Sequence, residues 1–425
     1  MPQQRFGMEE KMNEPSVAQI RAFRLRAHHL DRTYAYEDIP EAVGACGMQN
    51  TPPGAWENAL YHRIPSCSLV QMERLLYGSP TDSETGKALL QAWSLRGAPF
   101  VFPASESGTF LSALIPQEDE PWIYTRGITL ALDYLGMEMG PLFELLKQVI
   151  SGLDRNVIVG KNPLDQTLAQ WMLPFLPEEK RQLWMQPSMY GEPDRQTVGG
   201  AVVSFLLRPC AFCGLVVFGR RLPEGPSFTS FQNWLGTSLS LEEAARREAQ
   251  KALVRKYLHC YGPAVPAMFA DWLGCSKEQA RRLWAAVSEE IEEVRVCGKK
   301  AWILADDHDS LFSKPDFSRP LLLLNGYDPY LDQRDRAALQ PDRALHRKIW
   351  RTVSNPGAVI FQGKVIGIWT SRKKGNGLDV EVTLWPDAEG EKLPEKTGLF
   401  REISGMVEEW SAFRGLSVRG IRRTE

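Results

Sequence analysis

One arrangement recurs three times along this chain: a group of helix-like segments closes, and two short apolar or aromatic stretches follow it. The periodicity predicts helices at about 37–47, 54–63, 68–77 and 84–95, then strands at 98–102 and 109–114. It predicts helices again at 142–153, 162–175 and 178–184. A segment 196–208 then leads to strand-like 212–218 and 227–234 around the turn 220–226. The third group has helices at 241–260, 265–273 and 276–290, with strands at 294–297 and 301–305 around Gly298. Ser276 and Gln279 have the capping-box form at the start of the 276–290 helix. A spacing of roughly 100 residues is too long for a solenoid, so these read as tandem modules. Helices followed by a strand pair is the order of a winged helix, whose last helix can enter a major groove while the strand loop touches the backbone.

The pattern changes after a polar, proline-containing linker at 306–319. Strands are predicted at 357–361, 365–371 and 378–385, the last two with alternation that covers one face and the first two joined by a hairpin turn at 362–364. A helix at 395–413 follows, and then a basic end with Arg414, Arg419, Arg422 and Arg423. The expected fold is α+β, with three tandem winged-helix modules around a C-terminal β-barrel-like domain. The expected divisions are a disordered tail at 1–15, modules at 16–116, 117–236 and 237–312, and the β-rich domain at 313–425.

The bulk numbers exclude more than they identify. A length of 425 residues allows about three domains, and 43% hydrophobic with 24% charged residues is ordinary globular composition. No run is apolar enough to span a bilayer, and the polar start lacks the apolar stretch of a signal peptide. Seven cysteines, an odd number without regular spacing, argue against a disulfide framework and for a reducing cytoplasm. Cys210 and Cys213 form a lone C-x-x-C in an apolar run, which reads as buried small residues. The six histidines show no metal-ligand spacing, so no metal is expected. There is no Gly-rich phosphate loop, no His-Glu-x-x-His and no Gly-x-Ser-x-Gly elbow, so no nucleotide cofactor is expected either.

A net charge of −2 does not advertise a nucleic-acid binder, because affinity for phosphate needs locally clustered positive charge. Local clusters do exist. The 17–32 segment reads as a helix with Ile20, Phe23 and Leu30 on one side and Arg21, Arg24, Arg26, His28, His29 and Arg32 on the other. That basic side is either a solvated face or a phosphate contact. Further candidates for DNA contact are Arg96, the pair Arg220 and Arg221, Arg281 and Arg282, Lys299 and Lys300, and the run Arg372, Lys373 and Lys374. Trp93 reads as a core residue. Glu289, Glu290, Glu292 and Glu293 argue that the end of the third module's last helix faces away from phosphate.

The stretch around Gln49 is the candidate site. Pro52 pushes Thr51 out of the α region, and an extended Thr ahead of a proline-led helix is a good N-cap. A short extended lead-in at 48–51 should then precede a helix at about 54–63. Gln49 and Thr51 would project to one side, with Asn50 turned away. Two readings stand on spacing alone. Thr51 caps the helix while Gln49 is a surface amide, or the pair faces a ligand.

Gln49-x-Thr51 ahead of Ala59-Leu60-Tyr61-His62-Arg63 resembles the glutamine motif of the AlkZ-like bacterial DNA glycosylases, within the winged-helix DNA-binding domain-containing proteins. That motif is Gln-x-Gln in one branch and Gln-x-Asp in another. Residues 92–99 are similar to the family's Trp-x-x-Arg-Gly signature. Residues 257–263 resemble its Tyr-x-x-x-Tyr-Gly-Pro entry to the last winged helix, and 321–336 the opening of its C-terminal barrel. The resemblance runs from about residue 16 to the end. It implies a glycosylase for bulky alkylated or crosslinked purines, with Gln49 holding the water and Thr51 a second, shorter acceptor. Double-stranded DNA is the implied partner, and a monomer is expected. The alternative is a non-catalytic DNA-binding regulatory or architectural protein on the same scaffold, which the Gln-x-Thr departure favours. A protein-interaction scaffold is a third reading.

Overall fold

The computed structural model describes residues 13–78, 87–191, 194–386 and 396–424. Most of the expected 1–15 tail lies outside the described residues, as do positions 84–86 and 395 of two predicted helices. The principal helices are α1 (Val17–Ala27), α2 (Ile39–Gly44), α3 (Ala55–Arg63), α4 (Leu69–Tyr77), α5 (Met139–Val149) and α6 (Lys161–Met172). They continue with α7 (Glu178–Trp184), α8 (Val198–Phe212), α9 (Glu243–Tyr261), α10 (Pro266–Leu273), α11 (Lys277–Ala285) and α12 (Lys396–Phe413). The early strands are β1 (Met48–Gln49), β2 (Leu89–Trp93), β3 (Pro99–Pro103), β4 (Ile158–Val159), β5 (Val217–Leu222), β6 (Gly225–Thr229), β7 (Ile291–Val296) and β8 (Lys299–Leu304). The last five are β9 (Leu321–Leu324), β10 (Gly357–Phe361), β11 (Lys364–Lys374), β12 (Gly377–Leu384) and β13 (Ser417–Thr424). The fold is mixed α+β, and the chain weaves between two compact units. One comprises Met1–Glu73, Arg255–Met268 and Glu289–Glu425; the other comprises Arg74–Val254 and Phe269–Ser288.

The first unit is built on a five-stranded sheet in the order β13-β12-β11-β10-β9. Local turn chemistry makes its hairpins. Gln362 and Gly363 both have positive φ (47° and 76°), as a two-residue loop matched to strand twist requires. Cys297 and Gly298 (50° and 72°) do the same between β7 and β8. Along β12, Leu378, Val380, Val382 and Leu384 pack with Leu399, Ile403, Val407 and Trp410 of α12. Another set, including Leu322, Leu324, Ile360 and Ile368, packs with Tyr330, Leu25 and Leu30. Buried on both faces, β9 shows no alternation, only four consecutive leucines.

Two expectations change here. The sheet is open, with β9 and β13 at its edges, and does not close into a barrel. The basic C-terminal end, expected without a strand, is β13, parallel to β12 and reached through α12, the helical crossover that parallel pairing needs. The predicted 306–319 linker holds a short helix, His308–Phe312.

α1 begins with a capping box: Ser16 Oγ accepts from the Gln19 amide at 3.2 Å, and Gln19 Oε1 accepts from the Ser16 amide at 3.0 Å. It ends at Ala27 rather than 32. Its expected basic face is also partly internal, since Arg24 and His28 are each 1% exposed.

The second unit centres on α5, α6 and α8, whose Leu146, Leu168, Val202 and Leu206 pack with Trp93, Phe218 and Phe228. Trp93 stacks on Phe228, centroids 5.3 Å apart, and is the core residue expected. The predicted helix at 84–95 is wrong over its described part. Residues 89–93 form β2, antiparallel to β3, with all five side chains buried. Leu, Gln and Ala favour helix locally, but burial on both sides overrides that weak preference. The strand predicted at 109–114 is instead helical turns at Ser107–Phe110 and Ser112–Leu114. α8 runs to Phe212, so the strand predicted from 212 starts at Val217. The 227–234 stretch divides into β6 and a short helix capped by Ser230, whose Oγ accepts from the Asn233 amide at 3.0 Å.

Candidate active site

Gln49 ends β1, half-buried, and Thr51 is exposed beyond it. Gln49 Nε2 donates to the Thr51 carbonyl at 3.1 Å. A carbonyl can only accept, so this contact engages the amide nitrogen and leaves the amide oxygen as the acceptor of the side chain. The helix cap is not Thr51. Gly54 occupies the N-cap of α3 with φ +89° and no side-chain cap. Asn50 Oδ1 instead accepts from the Gly54 amide at 2.8 Å. The reading in which Thr51 serves as the cap is thereby removed. A side chain at Gly54 would be strained by its φ and crowd the Arg414 guanidinium.

α3 is held along its length. Arg414 pairs with Glu57, Trp410 Nε1 donates to Asn58 Oδ1 at 3.1 Å, and Tyr61 stacks on Phe413 at 4.4 Å between centroids. At its C-terminal end His62 Nε2 meets Asn325 Oδ1 at 2.9 Å. Arg63, 1% exposed, donates to both oxygens of buried Asp328 (2.8 and 3.0 Å) and to the carbonyls of His28 and Ala59. Burial alone would raise the Asp328 carboxyl, but Arg63 and the Tyr330 amide hold it below its usual range. Burial pushes the His62 imidazole down to about 4, despite the opposing pull of Asp328. Both partners of this helix end, Asn325 and Asp328, come from the 321–336 stretch.

Arg24 is organised in the same way. It donates to Gln333 Oε1 at 2.6 Å, Asp335 Oδ1 at 2.8 Å and the carbonyls of Tyr261 and Gly262 at 2.8 and 3.0 Å. A Cβ on Gly262 would lie 2.4 Å from the Leu258 carbonyl, which explains the glycine in Tyr261-Gly262-Pro263. Three of the four signature stretches thus meet in one internal frame. Arg24 and His28 are corrected accordingly. Their polar groups face protein, because a guanidinium without water must be enclosed by acceptors, and neither can reach phosphate.

The remaining candidates divide by exposure. Arg96 is half-buried and donates to the Trp272 carbonyl. Arg282 forms a two-pronged pair with Glu120 at 2.8 and 2.7 Å, and burial of Glu120 is outweighed so that its carboxyl sits low. These two arginines are committed to protein partners. Arg220 lies over the Tyr77 ring at 5.1 Å, and Arg221 beside it is exposed. Arg281 is exposed, 3.8 Å from Glu278. Lys299 and Lys300 are exposed on β8, Lys300 paired with Glu293 at 2.9 Å. Arg372, Lys373 and Lys374 are exposed at the tip of the β11–β12 hairpin. Sequence reasoning missed that β13 joins them. Arg422 pairs in register with Glu381, and Arg372 with Asp379. Thr370, Arg372, Lys374 and Arg422 line a groove of about 370 Å³ together with Asp379 and Glu381.

Among the described residues no helix is long and apolar enough to cross a membrane. A family model described as DNA glycosylase AlkZ-like matches residues 44–410. The chain is 24% identical over 320 residues to the "Interstrand DNA cross-link repair glycosylase" of Streptomyces sahachiroi, covering 73% of this chain and 76% of that protein. The solved structure of Streptomyces sahachiroi DNA glycosylase AlkZ matches with a TM-score of 0.70 at 23% identity, over 97% of this chain and 100% of that one. That likeness speaks for the fold.

Proposed function

The chain belongs to the AlkZ-like DNA glycosylase family, and on that footing we propose that it hydrolyses the N-glycosidic bond of bulky alkylated or crosslinked purines in duplex DNA. A purine alkylated at N7 or N3 already carries positive charge and departs without a general acid. What remains for the protein is an oxocarbenium-like sugar and a water to trap it. An amide oxygen can accept from that water and set partial negative charge against the cation. Gln49 takes this role, and the observation that carries it is the Thr51 carbonyl engaging its amide nitrogen, which leaves the oxygen to accept. Thr51, exposed and not needed as a cap, is the second and shorter acceptor.

Phosphate contact falls to the exposed cations Arg221, Arg281, Lys299, Lys300, Arg372, Lys373 and Lys374, and to Arg220 next to Arg221. The modules at 16–116, 117–236 and 237–312 act as winged helices, each a helix group with a following hairpin. The protein works as a monomer in the cytoplasm. The test is release of an N7-alkylguanine from duplex DNA by wild type and by Gln49→Ala. The expected loss is on the order of 10²-fold or more. Equal release by both proteins would remove Gln49 from the chemistry. The Gln-x-Thr pair favours a second reading, a non-catalytic DNA-binding protein. No release by wild type, with salt-sensitive binding to undamaged duplex, would establish it.

A further inference from the structure

The end of α1, the turn before β1 and the last turn of α9 bring together three side chains that lie far apart in the sequence: His28, Cys46 and Cys260. They are 1%, 4% and 0% exposed. One imidazole nitrogen and the two sulfurs lie within 4.8 Å of one another. His28 Nδ1 is 2.8 Å from the Arg24 carbonyl, and because that oxygen only accepts, the ring proton sits on Nδ1. Nε2 is left as a buried lone pair that meets no well-aligned hydrogen-bond donor, with the Cys46 thiol as its neighbour. A backbone carbonyl holding one ring nitrogen while the other presents its lone pair is how proteins orient a metal-ligating histidine. Cys260 directs its thiol toward the Ala27 and Ala45 carbonyls at 3.7 and 3.4 Å. Tyr261 Oη lies 3.6 Å from Cys46 Sγ.

We infer that His28, Cys46 and Cys260 form a binding site for a thiophilic divalent cation of the zinc class. Zinc bonds of about 2.3 Å to sulfur and about 2.0 Å to nitrogen place neighbouring ligands roughly 3.5–3.8 Å apart. The three atoms therefore need close by only about an ångström. Charge selects the ion. Two thiolates neutralise a divalent cation, and a neutral assembly is what a water-free interior tolerates. A monovalent soft ion would leave a net negative charge there. The Tyr261 hydroxyl, beside Cys46, donates its proton to the Pro329 carbonyl at 3.0 Å. Binding displaces the protons of both thiols, so uptake releases acid. Cys46 stands three residues before Gln49, and Cys260 adjoins the Tyr261-Gly262 turn that holds Arg24. The ion would tie α9 to the segment carrying the candidate glutamine. This inference is independent of glycosylase activity.

The test uses the full chain, purified under reducing conditions and stripped with chelator, then titrated with cobalt(II) and back-titrated with zinc(II). A single cobalt ion per chain is expected, reported by thiolate-to-cobalt charge-transfer absorption and displaced by zinc. Zinc should also raise the Tm of wild type and of Cys297→Ala, but not of Cys46→Ala or Cys260→Ala. Folded, reduced wild type that develops no charge-transfer band overturns the proposal, whatever the variants do. So does an unchanged band in folded Cys260→Ala. A Cys46–Cys260 disulfide, with no metal uptake after reduction, overturns it in favour of a redox pair.

Discussion

Arg24 and Arg63 hold their charges where water does not reach, each opposite a carboxylate from the far end of the chain. Removing one partner from such a pair costs more than the pair contributes, because the other charge stays buried and unmatched. Asp328→Asn is therefore expected to destabilise by about 3–5 kcal/mol, read as a fall in urea midpoint at unchanged m. A loss below about 1 kcal/mol would mean that water reaches Arg63. His62 makes a second prediction. Its imidazole is held at about 4 by burial, below the usual value of about 6.5. Between these pH values the unfolded chain binds a proton that the native chain refuses. The contribution is complete above about pH 6.5 and is lost as pH falls toward 4, by about 2 kcal/mol between pH 7 and pH 5. Asp328, held low, adds a loss of the same sign only at more acid pH. Thermal unfolding at pH 7 and pH 5 should separate wild type from His62→Phe, whose profile should be flatter. Parallel profiles would exclude His62.

At the scale of elements, the hairpin turns were readable because their causes lie within two or three residues. Gln362-Gly363 and Cys297-Gly298 fold back through positive φ whatever surrounds them. β13 was not readable. Arg419, Arg422 and Arg423 hide the sparse Val418 and Ile421, and only pairing with β12 makes the segment a strand. That pairing gives the β11–β12 hairpin a broader basic face than its own three cations supply. Replacing Arg372, Lys373 and Lys374 together by alanine should weaken binding to all duplexes alike. The log–log salt slope should fall by roughly one for each phosphate that is no longer neutralised, measured by fluorescence anisotropy across a salt series. An unchanged slope would take this hairpin off the DNA.

At the scale of the molecule, the two compact units share the chain instead of dividing it at one boundary. Residues 269–288 return to the unit formed by 74–254, where Arg282 meets Glu120 and the Trp272 carbonyl meets Arg96. A fragment of residues 74–254 alone leaves Glu120 without Arg282 and part of its core open. It should lack a cooperative transition by near-UV circular dichroism. Cooperative unfolding of that fragment would instead favour the contiguous divisions expected from the sequence.

The sequence by itself determined the mixed α+β class, the capped start of α11, the turns that join β7 to β8 and β10 to β11, and the extended arm bearing Gln49. Each follows from sterics or hydrogen bonding among near neighbours. Only the tertiary structure decided that Leu89–Trp93 is a strand, that Arg24 and His28 face inward, and that His28, Cys46 and Cys260 meet. Burial and charge pairing depend on which distant segment arrives, and no local spacing records that.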